Sequence, residues 1–257
     1  MKRFTKHSIV LLLVVAFVMG ITGQALAATS PNLGTAGSYS VLGHTTVTNT
    51  GGTTMPGDLG ISIGGAPTGF PPGSVGPPGS IRNAGDSLAA QSANTATFLA
   101  LSAAPNVACD VNYGAVTQEL SSQTLTPGIY CADAFQLSGT LTLDAQGNPS
   151  AVWIFRAELS TLNTSADELG NPAVQFLDGI GSPCNVWWKV ASSATIGSGT
   201  SFIGNILSLT SISMGTGASL NGRALAHANW SSNIRYQHLH RSGMLIGIYF
   251  CGGREHD

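Results

Sequence analysis

A few residue groups have types and spacings that could do chemistry. Gly85-Asp86-Ser87-Leu88 spells the stretch in which one class of esterases carries a nucleophilic serine. A nucleophile needs a base within hydrogen-bond reach, and that base needs an orienting partner. No Asp-x-x-His follows, and the stretch stands where a helix opens, so Asp86 or Ser87 is expected to be a helix N-cap. His238-Leu239-His240 could hold a metal ion, but it lies in an atypical tail. Asp133, Asp144, Glu158, Asp167, Glu168 and Asp178 fall mostly at predicted turns, and spacing sets no two of them on one face as glycan cleavage would need. Trp153, Trp187 and Trp188 could stack on a sugar, yet an alternating strand buries at least one of an adjacent pair. The expectation is a protein that is not an enzyme, with no metal and no cofactor.

Cys109, Cys131, Cys184 and Cys251 allow three pairings if two bridges form. Cys109 and Cys131 flank a loop-like stretch and are the preferred pair, with Cys184 expected as a buried thiol. No Cys-x-x-Cys occurs, which argues against zinc. Export is suggested by the start of the chain. Lys2, Arg3 and Lys6 precede an apolar run over 9–21, and Ala25-Leu26-Ala27 offers a cleavage site before Ala28. Residues 1–27 are therefore read as a signal peptide and the mature protein as secreted, monomeric and free of membrane. Their removal leaves seven Lys+Arg against twelve Asp+Glu, a net charge of −5. No basic patch remains to neutralise nucleic-acid phosphates. Only 9% of residues are charged, against roughly 25% in an ordinary soluble domain. Small hydroxyl and methyl groups take their place.

The elements that must position these groups are mostly short strands. Period-two runs separated by Gly, Pro, Asn and Asp occur over 38–42 and 46–48, and a Pro/Gly-rich loop follows over 64–79. One helix is expected at about 86–103, with Leu88, Ala89, Ala96, Leu99 and Ala100 as its apolar stripe and Pro105 beyond its end. Further strands are expected over 137–143, 151–155, 161–163, 174–177, 185–190, 195–197, 201–207, 211–214 and 219–226. Taken in threes they make solenoid coils, and every third strand flanks an aliphatic residue with small ones. Thr161 and Asn163 flank Leu162, Thr195 and Gly197 flank Ile196, and Ser211 and Ser213 flank Ile212. The aliphatic points inward and its neighbours outward. Thr195 to Ser211 marks about one coil, and a single domain follows because one coil cannot bury a core alone.

A family resemblance rests on a long ordered string of stretches. These are Thr46-Val47-Thr48-Asn49-Thr50-Gly51, Pro56-Gly57-Asp58-Leu59-Gly60, Thr68-Gly69-Phe70-Pro71-Pro72-Gly73 and Leu125-Thr126-Pro127-Gly128-Ile129-Tyr130. The string continues through 137–147, Ala151-Val152-Trp153-Ile154-Phe155, Cys184-Asn185-Val186-Trp187-Trp188, 199–206 and Asn221-Gly222-Arg223-Ala224-Leu225-Ala226. The chain resembles the microbial ice-binding (antifreeze) proteins. The resemblance implies a right-handed, discontinuous, three-faced β-solenoid (β-helix) with one long α-helix packed alongside, and an ice crystal surface as partner. The ice-binding domain is expected over 28–226. On the outward residues of the third strands, the expected ice-binding set is Thr46, Thr48, Thr161, Asn163, Thr195, Ser211 and Ser213. The competing reading is a surface adhesin or carbohydrate-binding module on the same scaffold.

The tail over 227–257 departs from the resemblance. The family leads one to expect a last strand of the type Gly-Ala-Val-Thr-Leu-Asp, whereas 228–241 carries Trp, His and Arg and is read as lacking a solenoid pattern. Back-translation one base forward from Trp230 permits Gly-Ala-Val-Thr-(Phe/Leu)-Asp, which suggests a frameshift near His227. Reading the DNA decides it: an early stop in the shifted frame would remove the idea.

Overall fold

A computed structural model describes residues 28–166 and 170–227, together with the backbone of the strands Asn233–Tyr236 and Ile248–Tyr249. Every strand pairing in it is parallel, and the strands stack into three faces around one core. The last coils are 18 residues apart, since Thr195 pairs with Ser213 and Ser201 with Ser219, whereas earlier ones carry insertions, Asn163 pairing with Thr195.

The stack does not follow chain order. On one face the strands run Asp58–Ile61, Tyr39–Gly43, the later half of Ser219–Ala226, the later half of Ser201–Ser208, Val186–Val190, Trp153–Ala157, Gly128–Ala132 and Val111–Asn112. The N-terminal strands thus sit beside the last coil, and the chain must travel back along the side before the remaining coils can begin. The helix Ala84–Ala100, here α1, covers that return with a length of about 25 Å.

Under α1 both sides of the sheet are buried: Gly128–Ala132 and Trp153–Ala157 are buried at every position. Inward, Tyr130, Phe155 and Trp188 stack along the axis, the last two with ring centroids 4.0 Å apart. Outward, Leu42, Leu225, Leu207, Trp187, Ile154 and Ile129 meet α1. This double burial is why those strands read as continuous apolar runs. All three tryptophans named from sequence are buried, Trp153 and Trp188 inside the solenoid and Trp187 beneath α1.

The structure corrects the helix in two respects. Its N-cap is Asn83, whose side chain accepts from the Asp86 backbone N–H, and not Asp86 or Ser87. Its buried side is Ser87, Ala90, Gln91, Asn94, Thr97 and Phe98, whereas Leu88 and Leu99 are 53% and 63% exposed. Close approach is the reason. Gly60 lies so near that a Cβ there would meet Ser87 Oγ at 2.2 Å, so where the first turns of α1 cross it only a small side chain fits. Two of the buried polar groups bond to backbone across the interface, Gln91 Nε2 donating to Ala226 O and Thr97 Oγ1 to Asn32 O.

Two further expectations change. The single strand over 137–143 is two, Ala134–Leu137 and Thr140–Leu143, broken at a corner where Ser121 Oγ accepts from the Ser138 and Gly139 N–H groups. In the tail, Asn233–Tyr236 does follow the solenoid period, pairing between Ser211–Met214 and Thr46–Asn49. Backbone register aligns position 234 with Ile212 and Val47, both buried. The rest of the tail, His238 and His240 included, and residues 1–27 lie outside the described residues.

Ser201–Ser208 and Ser219–Ala226 are long because each bends from one face onto the next without a turn. Gly204 (φ 115°) and Gly222 (φ 155°) form that stacked corner, where a Cβ on Gly222 would lie 2.0 Å from Gly204 O.

Candidate functional site

Two faces are left open by α1. On the face opposite the long-strand corner, here the third face, strands alternate between exposed and buried positions. Backbone register then sorts the outward residues into two columns. One runs Glu119, Gln136, Asn163, Thr195, Ser213, the position of Arg235, then Thr48. The other, two residues earlier on each strand, includes Thr161, Ser193, Ser211, the position of Asn233, and Thr46. Neighbours along a column are about 4.7–4.9 Å apart, and across the columns about 6.6–7 Å.

Every residue chosen from sequence for ice lies on this face. Thr161, Asn163, Thr195, Ser211 and Ser213 sit on three adjacent strands; Thr46 and Thr48 are separated from them by the strand Asn233–Tyr236. Thr46, Asn163 and Thr195 are exposed and the others half-buried. Several side chains orient one another: Asn163 Nδ2 donates to Thr161 Oγ1 at 2.9 Å, and Ser211 Oγ donates to Ser193 Oγ at 3.0 Å. Ser193 was missed because it falls outside the small-aliphatic-small triplet. The 18-residue repeat, which aligns it with Ser211, was the signal that could have found it.

The second open face begins at Thr124–Leu125 and passes through Thr140–Leu143 and Ala173–Phe176 to the first halves of the two long strands. Its columns are Ser122, Thr140, Ala173, Ser201, Ser219 and Thr124, Thr142, Gln175, Ile203, Asn221. None of these ten is charged. A trough of about 280 Å³ indents one end, lined by Ser122, Thr124, Thr140, Thr142 and Asn171 among others.

The groups that looked reactive are engaged otherwise. Ser87 is fully buried and its Oγ donates to Asn83 O within the first turn of α1. Cys109 and Cys131 are joined by a disulfide with Cα atoms 5.9 Å apart. Cys184 stands outside that bridge and is half-buried rather than buried. Glu158 lies beside the bridge, but it is ion-paired with Arg156, and disulfide sulfurs are not thiolate ligands. Arg156 also donates to Asn106 O and Val107 O, just past the end of α1, and Lys189 contacts Ser102 and lies over the Phe98 ring. Both cations thus sit at the electronegative end of the helix. Burial pushes the Lys189 ammonium below its ordinary pKa, with Glu158 opposing that shift. Among the described residues no helix is long and apolar enough to cross a membrane.

A sequence model of one family, described as Ice-binding-like, matches residues 41–231. The chain belongs to that family. The ice-binding protein of Nostoc sp. (strain HG1) is 39% identical over 230 residues, covering 88% of this chain and 80% of that protein. Among solved structures, the ice-binding protein of the Antarctic ascomycete Antarctomyces psychrotrophicus superposes with a TM-score of 0.68 at 30% identity, covering 83% of this chain and all of that one. An ice binding protein from an Antarctic biological consortium gives 0.69 at 35% identity, covering 82% and 91%. The two solved ice-binding structures share this fold, and in this chain α1 covers the one face of the solenoid that is not open.

Proposed function

We propose that the protein is exported, released from residues 1–27 and adsorbed to ice as a monomer, without catalysing a reaction. One observation carries this reading: outward Thr, Ser and Asn side chains stand in two straight columns on stacked parallel strands. Each hydrogen bond to ice replaces one to water and is worth little by itself. A rigid array makes many such contacts at once with little ordering entropy left to lose. Threonine methyls hold the neighbouring waters in place while hydroxyls join the lattice. Adsorbed molecules then force the ice front to bulge between them, which lowers its local freezing point and blocks recrystallisation.

For the site itself, the third-face set Thr46, Thr48, Thr161, Asn163, Thr195, Ser211 and Ser213 is the first reading. A second reading places ice on the other open face, because its ten outward positions hold no charge whereas the third face includes Glu119. Export is supported by the pattern of residues 1–27 and by the anchoring of Thr29, whose backbone N–H and C=O both bond to the Asn106 side chain at 2.9 Å. The intact mass of protein from the medium should correspond to a start at Ala28.

The deciding experiment is a cooled droplet of purified protein. Ice crystals should become faceted and recrystallisation should stop at low concentration. An adhesin or carbohydrate-binding module would instead be retained on a glycan resin and leave crystals round, and that result would reject ice as the ligand.

A further inference from the structure

We infer that the trough on the second open face is a binding site for a segment of neutral polysaccharide, a ligand distinct from ice. The trough lies where that sheet ends, since among the described residues Thr124–Leu125 pairs only with Thr140–Leu143. Its volume of about 280 Å³ is close to the lower end of small-molecule sites. Four hydroxyl residues give it a two-by-two grid. Ser122 stands beside Thr140, to whose carbonyl its N–H donates, and Thr124 stands beside Thr142. Neighbours across strands are about 4.7–4.9 Å apart and those along a strand about 6.6–7 Å. Asn171, just before Ala173–Phe176, adds an exposed amide at the border.

Among the described residues, the side chains of these four and of Asn171 have no hydrogen-bond partner in the protein. Ser121 and Gln123, also in the lining, are committed instead: Ser121 Oγ donates to Glu119, and Gln123 Oε1 accepts from Tyr113. None of the nine lining residues is charged. An ionic ligand would find no counter-charge there and would lose hydration without compensation. An aromatic or aliphatic ligand would meet hydroxyls and an amide where it needs an apolar wall. A planar crystal front does not enter a recess. A sugar ring is neutral, and hydroxyls around its rim both donate and accept, as the lining groups do. Its C–H faces meet the threonine methyls, and the open end of the sheet lets further sugar units continue past the coil. No aromatic platform is present, so a handful of hydrogen bonds of small net worth sets a millimolar affinity. The argument for this second ligand uses neither reading of the ice face.

The test titrates the full chain with cellotetraose, maltotetraose and mannotetraose by saturation-transfer NMR, with tetragalacturonate as the charged counterpart. At least one neutral tetrasaccharide should saturate the protein at millimolar concentration, and tetragalacturonate should not. Thr142→Val and Asn171→Ala should each weaken that binding about fivefold, the size of one neutral hydrogen bond, with the melting temperature unchanged. Thr124→Val gives the same reading should the Thr142 variant lose stability. Thr195→Tyr, on the third face, should leave sugar binding as it is. The trough is not a saccharide site if no neutral tetrasaccharide saturates, if tetragalacturonate binds equally well, if the trough variants bind as wild type does, or if Thr195→Tyr abolishes binding. None of these readouts involves ice, so a failure here leaves the ice reading standing.

Discussion

The two open faces are built from the same backbone lattice but differ in what they display. The third face has the more level centre: Thr161, Ser193, Thr195, Ser211 and Ser213 are all small, and hydrogen bonds hold some of them in place. One end is less suitable, with Glu119 and Gln136 in its column. The second face reverses this. It is uncharged from Thr124 to Asn221, yet one column holds Gln175, Ile203 and Asn221, and a trough lies at its margin. Lattice spacing alone therefore does not choose an ice face; levelness and the absence of charge do, and here they favour different sides.

The comparison can be broken or sharpened at several points. The largest effect should come from the shared core. Trp188 stacks on Phe155 beneath both faces, so Trp188→Ala should cost about 3–5 kcal/mol and remove ice activity whichever face carries it. Chemical denaturation measures the loss; a variant of unchanged stability would mean that the stack does not support the coils.

Next is the end coil. Asp58 is buried, which by itself raises its carboxyl pKa. Hydrogen bonds from Arg82, Ser38 and the Ser80 backbone outweigh burial and hold it below the ordinary carboxylate value, with Arg82 Nε at 2.8 Å. A group with a depressed folded-state pKa stabilises above its unfolded value, and that contribution disappears as pH falls through the folded one. Asp58→Asn should cost about 1.5–3 kcal/mol at neutral pH, as expected for losing bonds to a charged acceptor. The difference from wild type should shrink under acid. A constant difference across an acid titration of melting temperature would reject this account.

The direct contest between the faces uses paired bulky substitutions. Thr195→Tyr or Ser201→Tyr, whichever lies on the ice face, should remove most of the hysteresis, with the melting temperature nearly unchanged. The other should leave activity intact. Equal losses from both would show that ice contacts both faces.

The smallest effect is expected on the outer side of α1. Leu99 is 63% exposed, so Leu99→Ser should alter stability by less than about 0.5 kcal/mol and leave activity unchanged. A large loss would restore Leu99 to the core, as the apolar stripe in the sequence suggested.

That helix shows where reading from residues stops. A stripe of Leu88, Ala96 and Leu99 looks buried if hydrophobicity alone orients a helix. Here the distance between α1 and the sheet decided instead, and Gly60 admits Ser87 where a leucine could not fit. The open-face strands were easier to read because their alternation states which side is buried. Ser211–Met214 and Ser219–Ala226 have the boundaries expected of them, while 137–143 misled because the period continues through the corner at Ser138 and Gly139.

By itself the sequence determined the scarcity of charge, the short alternating strands, the coil-length repeat and the alignment of hydroxyl residues on third strands, because each is a local property with its own period. Only the tertiary structure decided which coils are neighbours. It set the first strands against the last coil and placed the strand Asn233–Tyr236 between Ser211–Met214 and Thr46–Asn49. Those pairings join residues far apart in the chain, where no local period can specify the match and only burial and register do.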